Sequence, residues 1–131
     1  MERLLSVIEK EHINLDFTDL PENGSIACLV SDNCYIAIDR HMRGAELLVH
    51  AAHEVGHCTT GSFYNFYSPF DIRAKHERRA NEWAIQQLVP EQEYLTAIRH
   101  GVRSAYELAE CFDITEEFAR KVIAYYNNEV H

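Results

Sequence analysis

His53-Glu54-Val55-Gly56-His57 closes a run from Gly44 to Cys58 in which Ala45, Leu48, Val49, Ala52 and Val55 recur at helical spacing. The recurrence predicts one helix packed into a core. Side chains four apart on a helix lie nearly one above the other, so His53 and His57 can grip one ion from the same face. Glu54 sits about a third of a turn round, within reach of a water at that ion, whose proton it can take. The competing reading is a solvated helix face that happens to carry two histidines. It fits poorly, because His53 and Glu54 would lie at the buried boundary, where polar groups without partners cost stability.

A tetrahedral catalytic zinc takes three protein ligands and keeps one position open. The candidate for the third lies in Lys75-His76-Glu77-Arg78-Arg79-Ala80-Asn81-Glu82-Trp83-Ala84. Glu77 and Asn81 share a helix face, so Glu77 can bind the metal while Asn81 accepts a hydrogen bond from a ligating imidazole and fixes its tautomer. His76 and Glu82 are the rival third ligands. A plain amphipathic helix also accounts for Lys75, Arg78 and Arg79, with Ala80, Trp83, Ala84 and Leu88 as its buried stripe. A set of two histidines and one glutamate suits one zinc per chain and discriminates poorly against manganese or iron.

The pair HEVGH and ERRANEWA resembles the ImmA/IrrE family of metallo-endopeptidases, in particular its small phage and mobile-element members. The likeness extends through GSFYNFYSPFDIRAKHE and YELAECFDITEEFARKVIAYY, from about Ile26 to Tyr126. H-E-x-x-H alone is common to many zinc enzymes; its combination with E-x-x-A-N-x-W-A is far more specific. The resemblance implies His53, His57 and Glu77 as metal ligands and Glu54 as general base. It also implies a protein substrate, a helix-turn-helix repressor of a phage or mobile element. Asn81 stands where many relatives carry Asp, a departure that weakens the pull of a carboxylate on the bound histidine.

Composition agrees with a small folded enzyme. The chain has 131 residues, 47% of them apolar, enough for one domain with a real core. Its net charge of −9 argues against nonspecific nucleic-acid binding, which needs a basic footprint. Met1 to Lys10 lacks the form of a signal peptide, and no apolar run is long enough to span a membrane, so the cytoplasm is expected. Cys28, Cys34, Cys58 and Cys111 form no C-x-x-C pair. Cys28 and Cys34 flank a hairpin turn and are the pair placed to meet, although a reducing compartment disfavours a disulfide; Cys58 is read as a packed free thiol.

Along the chain, Leu4, Leu5, Val7 and Ile8 predict a helix over about 2–12. Pro21, Asn23 and Gly24 mark a turn, and 26–30 and 35–38 read as strands joined by Ser31-Asp32-Asn33. Thr59-Thr60-Gly61-Ser62 ends the histidine helix. An aromatic loop with Phe63, Tyr64, Phe66, Tyr67 and Phe70 leads to a helix over about 72–88, and Pro90 ends that helix or opens the next. Among the possible donors to a developing oxyanion, Tyr67 is preferred over Tyr64, His76 and His100.

Ser104 and Thr115 read as N-caps of two further helices, and Leu108 to Thr115 has the look of a helix-turn-helix turn. The second of these helices opens Glu116-Glu117, acids that would repel phosphates, so direct nucleic-acid contact is not expected. The reading is a zincin-like α+β fold with a small antiparallel sheet, one compact domain over 1–131. Residues 1–89 form the metal-binding core and 90–131 a helical, helix-turn-helix-like module. The alternative is a non-catalytic or DNA-binding regulatory module with a structural metal.

Overall fold

The computed structural model describes residues 1–21, 24–64 and 67–127; Asn23 and Phe66, read above as turn and loop residues, lie outside them. The described residues form helix α1 (Glu2–Lys10), strands β1 (Asn14–Thr18), β2 (Ser25–Val30) and β3 (Asn33–Asp39), then helices α2 (Gly44–Thr60), α3 (Phe70–Leu88), α4 (Glu91–Arg99), α5 (Ala105–Phe112) and α6 (Glu116–Tyr126). The class is α+β, as expected.

The sheet differs from the expected one. Its order is β1-β3-β2, with β2 and β3 antiparallel but β1 parallel to β3, so it is mixed rather than wholly antiparallel. The sequence reading has no counterpart of β1. Only its pairing alongside β3, Leu15 with Ile36 and Phe17 with Ile38, makes these five residues a strand. The hairpin turn is also tighter than expected. Val30 pairs with Asn33, which leaves Ser31 and Asp32 alone in the turn, both at positive φ (52° and 67°). Two residues of positive φ match the twist of the flanking strands.

Alternation along β3 turns Cys34, Ile36 and Ile38 to one face of the sheet, and Ile36 and Ile38 are fully buried. Cys34 forms a disulfide with Cys58 of α2, with Cα atoms 5.9 Å apart. This corrects the cysteine reading. Cys28 pairs with Tyr35 rather than with Cys34, so the two cysteines of the hairpin point to opposite faces. Cys28 and Cys111 are the free, exposed thiols.

Helices α2 and α3 touch at the backbone. A Cβ on Gly56 would stand 2.6 Å from the carbonyl oxygen of Ala80, so only glycine permits this approach. The contact sets the face of α3 that carries Glu77 against the histidines of α2. Helix α2 runs to Thr60, two residues beyond the expected end, and stops at Gly61 in the left-handed conformation (φ 66°).

Ser104 and Thr115 cap α5 and α6 as expected, accepting from the backbone N–H of Glu107 and Phe118, each at 3.1 Å. Pro90 caps α4. Leu108, Phe118, Ala119 and Val122 of this helical part share one buried cluster with Val55, Ala84 and Ile85. Tyr126 stacks on Tyr94 and donates to the carbonyl of Val89 at 2.6 Å, fastening α6 to the end of α3.

Candidate metal centre

Helix α2 presents His53 and His57 on adjacent turns, their Nε2 atoms 3.2 Å apart. Glu77 of α3 reaches in from across the Gly56–Ala80 contact, its Oε2 2.6 Å from His57 Nε2 and 3.4 Å from His53 Nε2. These three donors form a group able to hold a metal ion. His76 and Glu82, the rival ligands, are not part of it among the described residues.

The outward nitrogens are already engaged. His53 Nδ1 lies 2.7 Å from Asn81 Oδ1, and His57 Nδ1 lies 2.5 Å from the carbonyl oxygen of Ser62. Both partners are carbonyl oxygens and can only accept, so each Nδ1 carries the ring proton and each Nε2 presents a lone pair inward. Glu77 Oε2 is buried and meets no correctly directed hydrogen-bond donor. Two imidazole nitrogens and a carboxylate facing one another need positive charge between them, supplied by a metal ion or, without one, by a proton on Nε2. Spacings of 3.2 Å between the imidazole nitrogens and 3.4 Å from His53 Nε2 to Glu77 Oε2 are close to the edge, about 3.3 Å, of a tetrahedron whose ligands stand about 2 Å from zinc. The 2.6 Å from His57 Nε2 to Glu77 Oε2 is shorter, a direct hydrogen-bond distance. The donor set therefore fits a metal.

The same crowding also favours a proton on the His57 imidazole. The His53 and His57 imidazoles hold the Glu77 carboxyl well below the usual carboxylate range, overcoming the burial that opposes its charge. Burial disfavours a charged His57, yet Glu77, the Ser62 carbonyl and Glu54 together push its pKa up. The three side chains together favour positive charge between them.

Glu54 lies beside this group, 7% exposed. It lines a cleft of about 220 Å³ together with Ser25, Ala27, His53, His57 and Tyr64. Tyr67, the preferred oxyanion donor from sequence, is 90% exposed and is not among the described residues lining that cleft. Tyr64 stands there in its place, its ring 6.4 Å from that of His57. Burial, followed by the charge of Glu77, raises the pKa of Tyr64 and keeps its hydroxyl protonated.

Two larger clefts adjoin. One, about 570 Å³, runs from His50, His53 and Glu77 to Thr115, Phe118 and Lys121. The other, about 720 Å³, lies between α3 and α6, from Glu77 and Asn81 to Lys121 and Tyr125. Side chains of α6 thus line both approaches to the candidate centre.

Residues 9–123 match the family model of the IrrE N-terminal-like domain, Peptidase_M78. The chain belongs to this family. Membership assigns it to the metallopeptidases and its α+β fold to the zincin-like kind. Among curated proteins, none matches the sequence significantly. No helix of the described residues is long and apolar enough to cross a membrane.

For this peptidase, sequence reasoning named the three converging donors and Asn81 but missed three neighbours. The Ser62 carbonyl leaves no signal, since any residue could supply it. Ser25, which hydrogen-bonds Glu54, lies 29 residues away on a strand and leaves none either. His50 does carry a signal, its i,i+4 spacing to Glu54.

Proposed function

We propose that the chain is a zinc-dependent endopeptidase in which His53, His57 and Glu77 hold one zinc ion and Glu54 is the general base. The observation that carries this reading is the convergence of two imidazole lone pairs and a buried carboxylate oxygen, with both outward nitrogens already spent on carbonyls. A bound zinc supplies Lewis acidity, polarising a substrate carbonyl and making water acidic enough to be deprotonated near neutral pH. The protein does the rest. Glu54 accepts the attacking water's proton and passes it to the leaving amine, with no covalent intermediate. Tyr64 takes the oxyanion-donor role in preference to Tyr67, because it is the tyrosine that lines the cleft. Asn81 and the Ser62 carbonyl keep the two imidazoles turned inward.

An extended peptide is the substrate form that suits the cleft. Strand β2 is an edge of the sheet, and its Ser25, Ile26 and Ala27 line the same cleft as Glu54. A substrate strand added there makes main-chain hydrogen bonds that tolerate many sequences. The substrate we propose is a helix-turn-helix repressor of a phage or mobile element, on the strength of the family resemblance. The setting we propose is the cytoplasm, where the Cys34–Cys58 pair would be held mostly as thiols. We read 90–131 as a module that packs on the 1–89 core and helps dock the substrate, since Lys121 and Phe118 line an approach to the centre. A DNA-reading role is disfavoured by the acidic first turn of α6, Glu116 and Glu117.

The test is metal content and cleavage together. Wild-type protein purified without added metal should carry about one zinc per chain, and Glu77→Ala should lose it. Incubated with helix-turn-helix repressors of phages and mobile elements, wild type should cut one of them and Glu54→Gln should not. A Glu54→Gln protein that still cuts, or a wild type that binds no zinc when zinc is supplied, would sink the proposal.

A further inference from the structure

The carboxylate of Glu54 is not free to turn. Ser25, the first residue of β2, places its hydroxyl oxygen 2.7 Å from Glu54 Oε2 and 2.9 Å from His50 Nδ1. His50 and Glu54 are one helical turn apart on α2, so one hydroxyl from the neighbouring strand bridges both. An ionised carboxylate can only accept, so the single hydroxyl proton of Ser25 goes to Glu54. The remaining lone pairs of that oxygen can then be met only by a donor, which requires the proton of His50 on Nδ1. Every hydrogen in the chain is thereby directed: His50 Nδ1–H to Ser25 Oγ, Ser25 O–H to Glu54 Oε2. Among the described residues no hydrogen bond engages Glu54 Oε1.

We infer that Ser25 is a positioning residue for Glu54, with His50 fixing the rotor of the Ser25 hydroxyl. One carboxylate oxygen is tied to the strand, and the other is left to meet water and substrate in the cleft. The inference rests on the reading of Glu54 as general base. A purely structural role would need only that a buried carboxylate find some donor. It would not need that donor's hydroxyl to be oriented in turn by an imidazole held in the less common Nδ1–H tautomer.

The experiment uses the zinc-loaded full chain and three readouts on wild type, Ser25→Ala, Ser25→Thr and Glu54→Gln. The first is the ¹⁵N spectrum of His50 at about pH 8, where an ordinary imidazole is neutral. Wild type should show a protonated Nδ1, and Ser25→Ala should move His50 toward the usual Nε2–H form. The second is zinc affinity by competition with a chelator, which should stay within about threefold in Ser25→Ala, since among the described residues Ser25 hydrogen-bonds His50 and Glu54 and none of the proposed ligands. The third is turnover of a peptide chosen from a combinatorial library because wild type cleaves it. In Ser25→Ala, kcat should fall roughly 10- to 100-fold with KM unchanged, and Ser25→Thr, which keeps the hydroxyl, should recover most of it.

Each departure has a distinct meaning. A wild-type His50 protonated on Nε2, or a tautomer unmoved by Ser25→Ala, overturns the hydrogen-bond chain itself. Unchanged kcat in Ser25→Ala beside an inactive Glu54→Gln leaves Glu54 as base and overturns the positioning role alone. Full turnover in Glu54→Gln, or a zinc-loaded wild type that cleaves no library peptide, overturns the hydrolytic reading and the positioning role with it, whatever the ¹⁵N spectrum shows.

Discussion

Asn81 holds His53 through an amide oxygen, where a carboxylate would place a full negative charge at the same distance of 2.7 Å. A charged acceptor makes the far nitrogen of the ring a better donor to a cation. Asn81→Asp is therefore expected to tighten zinc binding by about tenfold, and Asn81→Leu to weaken it by a similar factor, both measurable by chelator competition. Glu54 separates binding from chemistry. Glu54→Gln should keep its zinc yet lose on the order of 10²- to 10⁴-fold in hydrolysis, as expected when the proton acceptor of a hydrolytic step is removed. These residues were legible from sequence because the helical repeat alone puts His53 and His57 on one face and Glu77 and Asn81 on another. Tyr67 and Tyr64 were not separable in that way. They stand three apart with no helical or strand repeat to tell them apart, and only the tertiary structure places Tyr64 in the cleft and Tyr67 at 90% exposure.

Helices α2 and α3 meet at Gly56 and Ala80, and that contact decides where Glu77 stands. Gly56→Ala would press a methyl against a backbone oxygen that cannot swing aside. It should cost about 1–3 kcal/mol in urea unfolding. It should also weaken zinc binding, because the helices can separate only by drawing Glu77 away from His57. On the other side of α2, the Cys34–Cys58 disulfide ties β3 to the turn that carries His57. The two cysteines are separated by 24 residues, and for a loop of that size the cross-link is worth about 3 kcal/mol. Oxidised protein should accordingly lose that stability on reduction or in Cys34→Ser, read as a lowered Tm. Neither feature had a sequence signal. A glycine inside H-E-x-x-H is unconstrained by the motif, and the cysteine pairing depends on which face of β3 meets α2. Strand β1 was hidden for a related reason. Two apolar residues in five do not announce a strand, and its hydrogen bonds come from a parallel partner about twenty residues away.

Across the whole molecule, Tyr126 fastens α6 to the end of α3, its hydroxyl donating to the Val89 carbonyl. Burial, then the nearby Tyr125, Glu91, Glu93 and Tyr94, push its pKa from 10 up to about 12. An unfolded chain gives up this proton at the lower value and the folded chain at the higher one. The contribution to stability is thus full below about pH 10 and is lost as pH rises through about 12. Other groups titrate in that range, so the check is a difference: wild type should lose more stability than Tyr126→Phe between those two values in urea unfolding. What the sequence by itself determined was everything governed by local spacing. The donors on α2 and α3, the caps at Ser104 and Thr115, the hairpin strands and the α+β class all follow from repeats of 3.6 or 2 and from side-chain chemistry at helix ends. What only the tertiary structure decided were the meetings of residues far apart in the chain: Glu77 with His57, Ser25 with Glu54 and His50, Cys34 with Cys58, β1 with β3. The physical reason is that a local pattern says which way a side chain faces. Its partner is set by which backbones can approach, and here that was decided by one glycine and one edge strand.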